Sequence, residues 1–597
     1  MNQNPAVSKL WFGIKTLIFG FGLSSLIACS GPKDRNAAEI LGNPKFPAIA
    51  YGGYRNVDRS QAPSVADIKE DLKILDAMGI RILRTYHARL YDHTPNLLQA
   101  IREMKLEDSD FEMYVMLGAW MQCEGAWTDH PNHLKGDKSE NQAEIEQAIK
   151  LAQEYPDIVK VIAVGNESMV HWAATYYVHP RIILKEVMYL QSLKADGSLP
   201  ADLWITSSDN FASWGGDTED YHLPALDSLI RAVDYLSVHS YPFHDTHYNP
   251  EWWWLPEGQD TLAKFRQIKL SVGRAIDRVD AQIAAVSSYL NDLGVKKEIH
   301  IGETGWASAD NRFYSVAQSG AGNEYMQMLY HLWINAYCHE NQMSCFYFEA
   351  FDEPWKDGEN AGGSENHFGL FTVDGAAKAP LWSLVDKGVF EGLKRNGKPI
   401  RKTLDGDQDK AIALAGLPPR RIDQPSIRLM RNDTSLLGVM IWPNEKDRAS
   451  FGADSYLTFN AWEGTCVMEQ SPNGKLLLKT GTGDWWGASL SAKAPLDLSE
   501  FEDGYLEFSI GGNTESSFEI GFQSGDYNLG SQRSAAVRFG PDEEFQLEEG
   551  QQRFRIPIKK IKAETDLKNI SAPLYLKGLV NFDGKEIYIS RFLFRKS

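Results

Sequence analysis

The chain has 597 residues, 43% hydrophobic and 24% charged, which is long enough for more than one domain and has the balance of a globular protein. Its 80 acidic against 61 basic side chains give a net charge of −19, a field that repels phosphate backbones and argues against nucleic acid as a partner while leaving neutral ligands open. Seventeen Trp and 24 Tyr are enough to line both cores and a surface that stacks on flat apolar faces.

At the N-terminus, Lys9 and Lys15 accompany an apolar run from Thr16 to Ala28, the order of charge and hydrophobicity that marks an export signal. The run is too short and too rich in Gly and Ser for a spanning helix. It ends Leu26-Ile27-Ala28-Cys29, which resembles the lipobox of bacterial lipoproteins. That resemblance implies a signal peptide over residues 1–28, a diacylated Cys29 and a tether over 29–44. Ser30, in place of the Asp that retains such proteins at the inner membrane, implies the outer membrane of a Gram-negative cell envelope. Cys123, Cys338, Cys345 and Cys466 are too few for a disulfide scaffold; Cys338 and Cys345 either pair across a helix-to-strand loop or stay buried thiols.

From residue 46, short apolar runs alternate with helical periodicity. The expected strands are Phe46–Tyr51, Ile80–Tyr86, Glu112–Ala119, Val159–Gly165, Leu203–Ser208, Asp234–Ser240, Glu298–Gly302 and Ser344–Phe351. Helices fit between them over Val65–Met78, Leu97–Met104, Gln142–Gln153, Pro180–Leu193, Pro224–Val233, Gly273–Leu293 and Glu324–His339, with Ala379–Leu393 last. Eight strand–helix units predict a (β/α)8 TIM barrel, an α/β fold, over residues 45–395. Lys394–Gln424, rich in charge, Gly and Pro, reads as a linker (396–425) or a strap over the barrel. Its Asp405, Asp407 and Asp409 lack the further ligands of a calcium loop. Residues 426–597 carry alternating strand-like runs separated by turn residues, the pattern of an all-β, jelly-roll-like sandwich.

Catalytic groups of such barrels stand at the C-terminal ends of strands. The fourth strand ends Val164-Gly165-Asn166-Glu167, and the seventh runs into Gly302-Glu303-Thr304-Gly305-Trp306. Barrel closure brings these two ends to opposite sides of one mouth. Two facing carboxyls there are what glycosidic cleavage needs, one to protonate the leaving oxygen and one to meet the positive centre.

These motifs resemble glycoside hydrolase family 17, the β-1,3-glucanases and glucan-remodelling enzymes. Arg84-Thr85-Tyr86, Ser240-Tyr241-Pro242-Phe243, Phe346 to Lys356 and Glu365 to Phe371 resemble it in the same order along the chain. The resemblance implies a retaining mechanism with Glu167 as acid/base and Glu303 as nucleophile, about 5 Å apart. It further implies substrate-binding roles for Tyr86, Asn166, Tyr241 and Trp306, and a Glu353–Lys356–Glu365 cluster that keeps Glu303 ionised through the Lys charge or serves as a structural ion network at the rim. One pKa must be raised and the other kept low, so Glu303 should collect hydrogen-bond donors and Glu167 a less polar setting.

Trp120, Trp172 and Trp355 are further candidate sugar platforms, and Trp252-Trp253-Trp254 could wall a subsite. His239, His244 and His247 match no zinc spacing, no phosphate loop occurs, and neither metal nor cofactor is expected. The C-terminal module resembles carbohydrate-binding jelly rolls; Trp462, Trp485 and Trp486 could present rings to a glucan, or the module only stabilises the barrel. The whole reads as a monomeric, laminarin-degrading hydrolase held at the membrane by its lipid. A transglycosylase using the same site and a non-catalytic surface glycan-binding lipoprotein are the rivals.

Overall fold

The computed structural model describes residues 35–418 except 129, 218, 249–251, 257, 311–318 and 359. It also describes 438–442 and 457–596, except 463–464, 471–474, 481–484, 493–494, 513–516, 526–531, 542, 548–549 and 579–585. The signal segment, Cys29, and the linker residues 419–425 lie outside the described residues.

Eight parallel strands close a barrel in chain order: β1 (Ala48–Ala50), β2 (Ile82–Arg84), β3 (Tyr114–Ala119), β4 (Val159–Asn166), β5 (Trp204–Asn210), β6 (Leu236–His239), β7 (Ile299–Thr304) and β8 (Cys345–Tyr347), which pairs back on β1. Seven main helices surround them: α1 (Val65–Ala77), α2 (His93–Glu107), α3 (Lys138–Glu154), α4 (Pro180–Ala195), α5 (Pro224–Ala232), α6 (Lys264–Asp292) and α7 (Glu324–Glu340). Ser64 begins α1 with a capping box to Asp67, and Pro180 and Pro224 stand in the first turns of α4 and α5, where a missing N–H costs nothing. Strand residues alternate between two cores. Leu83, Val115, Ile162, Val238 and Ile301 pack outward on the helices. Ile82, Met116, Ala163, Tyr235 and Phe346 fill the barrel interior.

The segment expected as a tether and the one expected as a linker or a strap both pack on the barrel where they are described. From Arg35 the supposed tether forms a helical turn, Ala37–Ile40, whose Ala37, Ile40 and Leu41 join the interior cluster. Of the two readings of Lys394–Gln424, the strap describes it up to residue 418: Arg395 is buried against Asp71 of α1 (2.9 Å), and Ile400, Ala411 and Ala415 lie in the main core. Asp407 there caps a short helix, Gln408–Leu414. The last expected helix covers only Ala379–Asp386, because the chain turns through a left-handed Gly388.

The C-terminal part is an antiparallel β-sandwich. One sheet is built on the long last strand Glu586–Arg595, paired with Tyr505–Gly512, Leu476–Thr480 and Gly438–Trp442. The other runs through Leu457–Ala461, Trp486–Ala492, Ile570–Gly578, Phe518–Ser524 and Arg533–Phe539. Trp486, expected as a possible sugar platform, points between the sheets and is fully buried. Trp462 lies flat over the strand beside it: a Cβ on Gly487 would meet its ring at 2.1 Å, and it stacks on Tyr575 at an interplanar angle of 12°.

Candidate active site

Strict alternation would turn Gly302 into the barrel and Glu303 out of it. Gly302 does face inward, where a Cβ would lie 2.0 Å from Ser237 Oγ. The β6–β7 register then slips, Val238 opposite Ile301 but His239 opposite Glu303, so one extra residue on β7 brings Glu303 to the inner face as well. A second slip occurs on β4, between Ala163 and Asn166 against β5. Just past it, Glu167 sits at φ +46° with its N–H donating to Ser208 O (3.0 Å). Such a backbone is costly for a residue with a side chain and marks a position held by its surroundings.

Glu303 is buried and ringed by donors. Arg84 Nη1 donates to Oε2 at 2.6 Å and to Gly302 O at 2.7 Å, Tyr86 OH donates to Oε2 at 2.9 Å, and Tyr241 OH to Oε1 at 2.6 Å. Burial pushes this carboxyl up, but Arg84, His239 and the two phenols together hold it below the ordinary Glu range. Phe348 packs edge-on against both phenol rings. Arg84 also reaches across with Nη2 to Asn166 Oδ1, tying β2 to the residue before Glu167.

Glu167 has the opposite setting. Its carboxyl is pushed up to about 8, first by burial and then by the charge of Glu303, with Glu365 adding to it and Arg84 and His244 opposing. Its Oε1 meets His239 Nδ1 at 3.1 Å. His239 is held down at about 4 by burial and is therefore a neutral ring at neutral pH. On the far side, His239 Nε2 meets Ser208 Oγ at 2.8 Å, and Ser208 meets Ser237 Oγ at 2.8 Å. One carboxylate held ionised beside one carboxylic acid held protonated is the equipment for acid-assisted displacement at a sugar carbon.

Tyr86, Asn166, Tyr241, Glu167 and Glu303 thus meet at one barrel mouth. The Glu353–Lys356–Glu365 cluster is only partly of the expected kind. Lys356 Nζ lies 3.7 Å from Glu353 Oε2 and 4.4 Å above Phe348, while Glu353 Oε1 accepts from Tyr54 N–H at 3.1 Å. The cation in contact with Glu303 is Arg84, not Lys356. Trp306 is a correction: it is fully buried, donates to Ala321 O at 2.8 Å and packs on Phe243, Trp253 and Tyr330, so it has no face to offer a sugar. Trp253 is buried in the same cluster. Cys338 and Cys345 are free buried thiols. Sequence reasoning missed Arg84 and His239 as site residues. Their signal was an ionisable side chain closing a short, fully buried strand, Ile82–Arg84 and Leu236–His239.

The chain matches known proteins over both parts. Residues 432–596 match carbohydrate binding domain 30. A solved endo-laminarinase from Formosa Hel1_33_131 is 56% identical over 65% of this chain and 98% of that one, with a TM-score of 0.64. A glucan 1,3-beta-glucosidase of Arthroderma benhamiae is 26% identical over 53% of this chain and 83% of that protein. A probable glucan endo-1,3-beta-glucosidase of Aspergillus fumigatus is 24% identical, with 56% of this chain matched to 43% of that protein. The BtgE/BtgC glycoside hydrolase domain matches residues 48–369, more than half of the chain, and the chain belongs to that family.

Proposed function

We propose that this protein is a retaining hydrolase of β-1,3-glucan of the laminarin type, with Glu303 as nucleophile and Glu167 as acid/base. The observation that carries the reading is the contrast between the two carboxyls. Glu303, held by Arg84, Tyr86 and Tyr241, is the charged group able to attack or stabilise an anomeric carbon. Glu167, raised to about 8, keeps the proton that a departing sugar oxygen requires. In the first step Glu303 Oε bonds to the anomeric carbon as the glycosidic C–O bond breaks and Glu167 protonates the leaving oxygen. In the second, Glu167 takes a proton from water, and the water oxygen replaces Glu303. The names of the Formosa and fungal relatives support the β-1,3-glucan substrate. The match of the sandwich to carbohydrate binding domain 30 supports a module that keeps the chain on the polysaccharide.

Incubation of the purified protein with laminarin, followed by NMR of the first products, tests this. Initial β-anomer is the expected result. Initial α-anomer would remove the retaining assignment, oligosaccharides longer than the substrate would favour transfer, and binding without turnover would favour a glycan-binding role.

Envelope anchoring through Cys29 belongs to the same proposal, supported by the apolar run and the Leu26-Ile27-Ala28-Cys29 ending. Metabolic labelling with palmitate should mark the wild-type chain and not Cys29→Ser; equal labelling of both would overturn it.

A further inference from the structure

Past the end of β8 the chain brings together two carboxyls that the reaction as described does not use. Glu349 and Glu353 are both buried and share a hydrogen bond. The carboxyl of Glu353 packs directly on the backbone of Gly52, where a Cβ would meet Oε1 at 2.0 Å and Oε2 at 2.7 Å. Its Oε1 accepts from Tyr54 N–H at 3.1 Å, and its Oε2 lies 3.7 Å from Lys356 Nζ. Glu349 has no such support: its Oε1 is buried without a hydrogen-bond partner among the described residues.

Two carboxyls in such contact carry one proton between them, because two like charges so close cannot both be kept away from water. The cations nearby are each taken by another carboxylate. Arg84 faces Glu303 at 2.6 Å, Lys378 faces Asp352 at 2.6 Å, and Lys356 faces Glu353. A neutral acid with one idle oxygen costs far less in this position than an unpaired charge, so the proton resides on Glu349, which donates to Glu353. Burial first, and then the charge of Glu353, push the Glu349 carboxyl well above its ordinary range, with Lys356 opposing.

The pair reaches the site through Lys356. Its Nζ stands 4.4 Å from the Phe348 ring centre, 4.7 Å from that of Trp355 and 5.9 Å from that of Tyr86. Phe348 packs edge-on against Tyr86 and Tyr241, the two phenols that hold Glu303. The Lys356 side chain is 16% exposed, so its ammonium can still meet a ligand. We propose that Glu349 is a positioning residue: as a neutral acid it fixes Glu353, and Glu353 holds the Lys356 ammonium beside the Tyr86 and Phe348 rings, where it donates to a hydroxyl of the sugar that Glu303 attacks. The inference rests on the proposed function. A lysine stem is flexible and its ammonium has no preferred direction, so a fixed carboxylate beneath it is what makes the contact repeatable. Ionised, Glu349 would offer the same cation a second carboxylate and draw it off the wall.

Kinetics on laminarihexaose test this with Glu349→Ala, Lys356→Met and the double variant. Each single substitution should lower kcat/KM about tenfold, the scale of one hydrogen bond from a charged group. The double variant should fall about tenfold as well, not about a hundredfold, because Glu349 acts through Lys356. Glu349→Gln keeps the shape of the side chain, and its amide still donates to Glu353, so it should recover most of the rate. Losses that multiply in the double variant, a Glu349→Ala rate equal to wild type, or a Glu349→Gln rate about tenfold below it would each overturn the positioning role. Wild-type protein inert on both laminarihexaose and laminarin would overturn the proposed function, and the positioning role with it.

Discussion

His239 stands against Glu167 with Nδ1 3.1 Å from Oε1, on the inner face of a strand whose next inward residue down, Ser237, is hydrogen-bonded to Ser208. Because the ring is neutral, its one proton can sit on either nitrogen. Were the Ser208 hydroxyl to donate to Nε2, the ring proton would be fixed on Nδ1, where it would donate to Glu167 Oε1 and leave the carboxyl's own proton on Oε2 for the leaving oxygen. Ser208→Ala should therefore lower kcat on laminarin about tenfold with little change in KM, since the ground-state fit of the sugar is untouched. An unchanged kcat would show that the tautomer does not matter.

Activity should be bell-shaped in pH. Glu303 must be ionised, and its folded pKa lies below the usual carboxylate range, so the acid limb falls away only at low pH. Glu167 must be protonated, and that state is lost as pH rises through about 8. Replacing the cation, Arg84→Met, removes what holds Glu303 down, so the acid limb of kcat/KM should move to higher pH and narrow the bell. The orphaned carboxylate should also cost on the order of 3–5 kcal/mol of stability. An acid limb that stays in place in this variant would contradict the role given to Arg84.

Glu167 should carry a stability cost as well. A carboxyl at 4.5 in the unfolded chain and about 8 in the folded one keeps a proton that the unfolded chain has released. Stability from this group therefore declines as pH climbs between those values. Glu167→Gln lacks that decline, so its stability advantage over wild type, read as a rising Tm difference, should grow over the same window by at most about 1.4 kcal/mol per pH unit. A Tm difference independent of pH would contradict the raised pKa.

The parts of this molecule that were legible in the sequence are those set by period and by strand ends. Apolar runs such as Val159–Gly165 and helical stretches such as Pro180–Leu193 fixed the barrel, and two Glu residues at strand ends located its mouth. What the pattern could not show is geometry that departs from period. The register slips that turn Glu303 inward leave no compositional trace. Trp306 lies in a site-like motif yet packs into the core, because burial depends on Phe243, Trp253 and Tyr330 from distant segments. The strap was ambiguous for a related reason: Arg395 reads as a linker charge until Asp71, far back in the chain, is found beneath it.

Gly52 makes a separate test of how the β8 loop is seated. A Cβ there would lie 2.0 Å from Glu353 Oε1, a buried carboxylate that also accepts from Tyr54 N–H. Gly52→Ala should destabilise the fold by about 1–3 kcal/mol through overpacking. Adding Glu353→Ser should recover much of that loss relative to Glu353→Ser alone. Equal, additive penalties would mean that the collision is relieved elsewhere.

The division of labour between Glu303 and Glu167 is the centre of the account, and azide rescue reads it directly. Each carboxyl is truncated to Ala, an activated aryl β-laminaribioside is supplied with sodium azide, and the anomer of the glycosyl azide is read by NMR. Glu303→Ala should give the α-azide, because azide enters from the face the nucleophile has vacated. Glu167→Ala should give the β-azide, because Glu303 still forms the covalent intermediate and azide then displaces it. The reverse pairing of anomers would contradict the assignment.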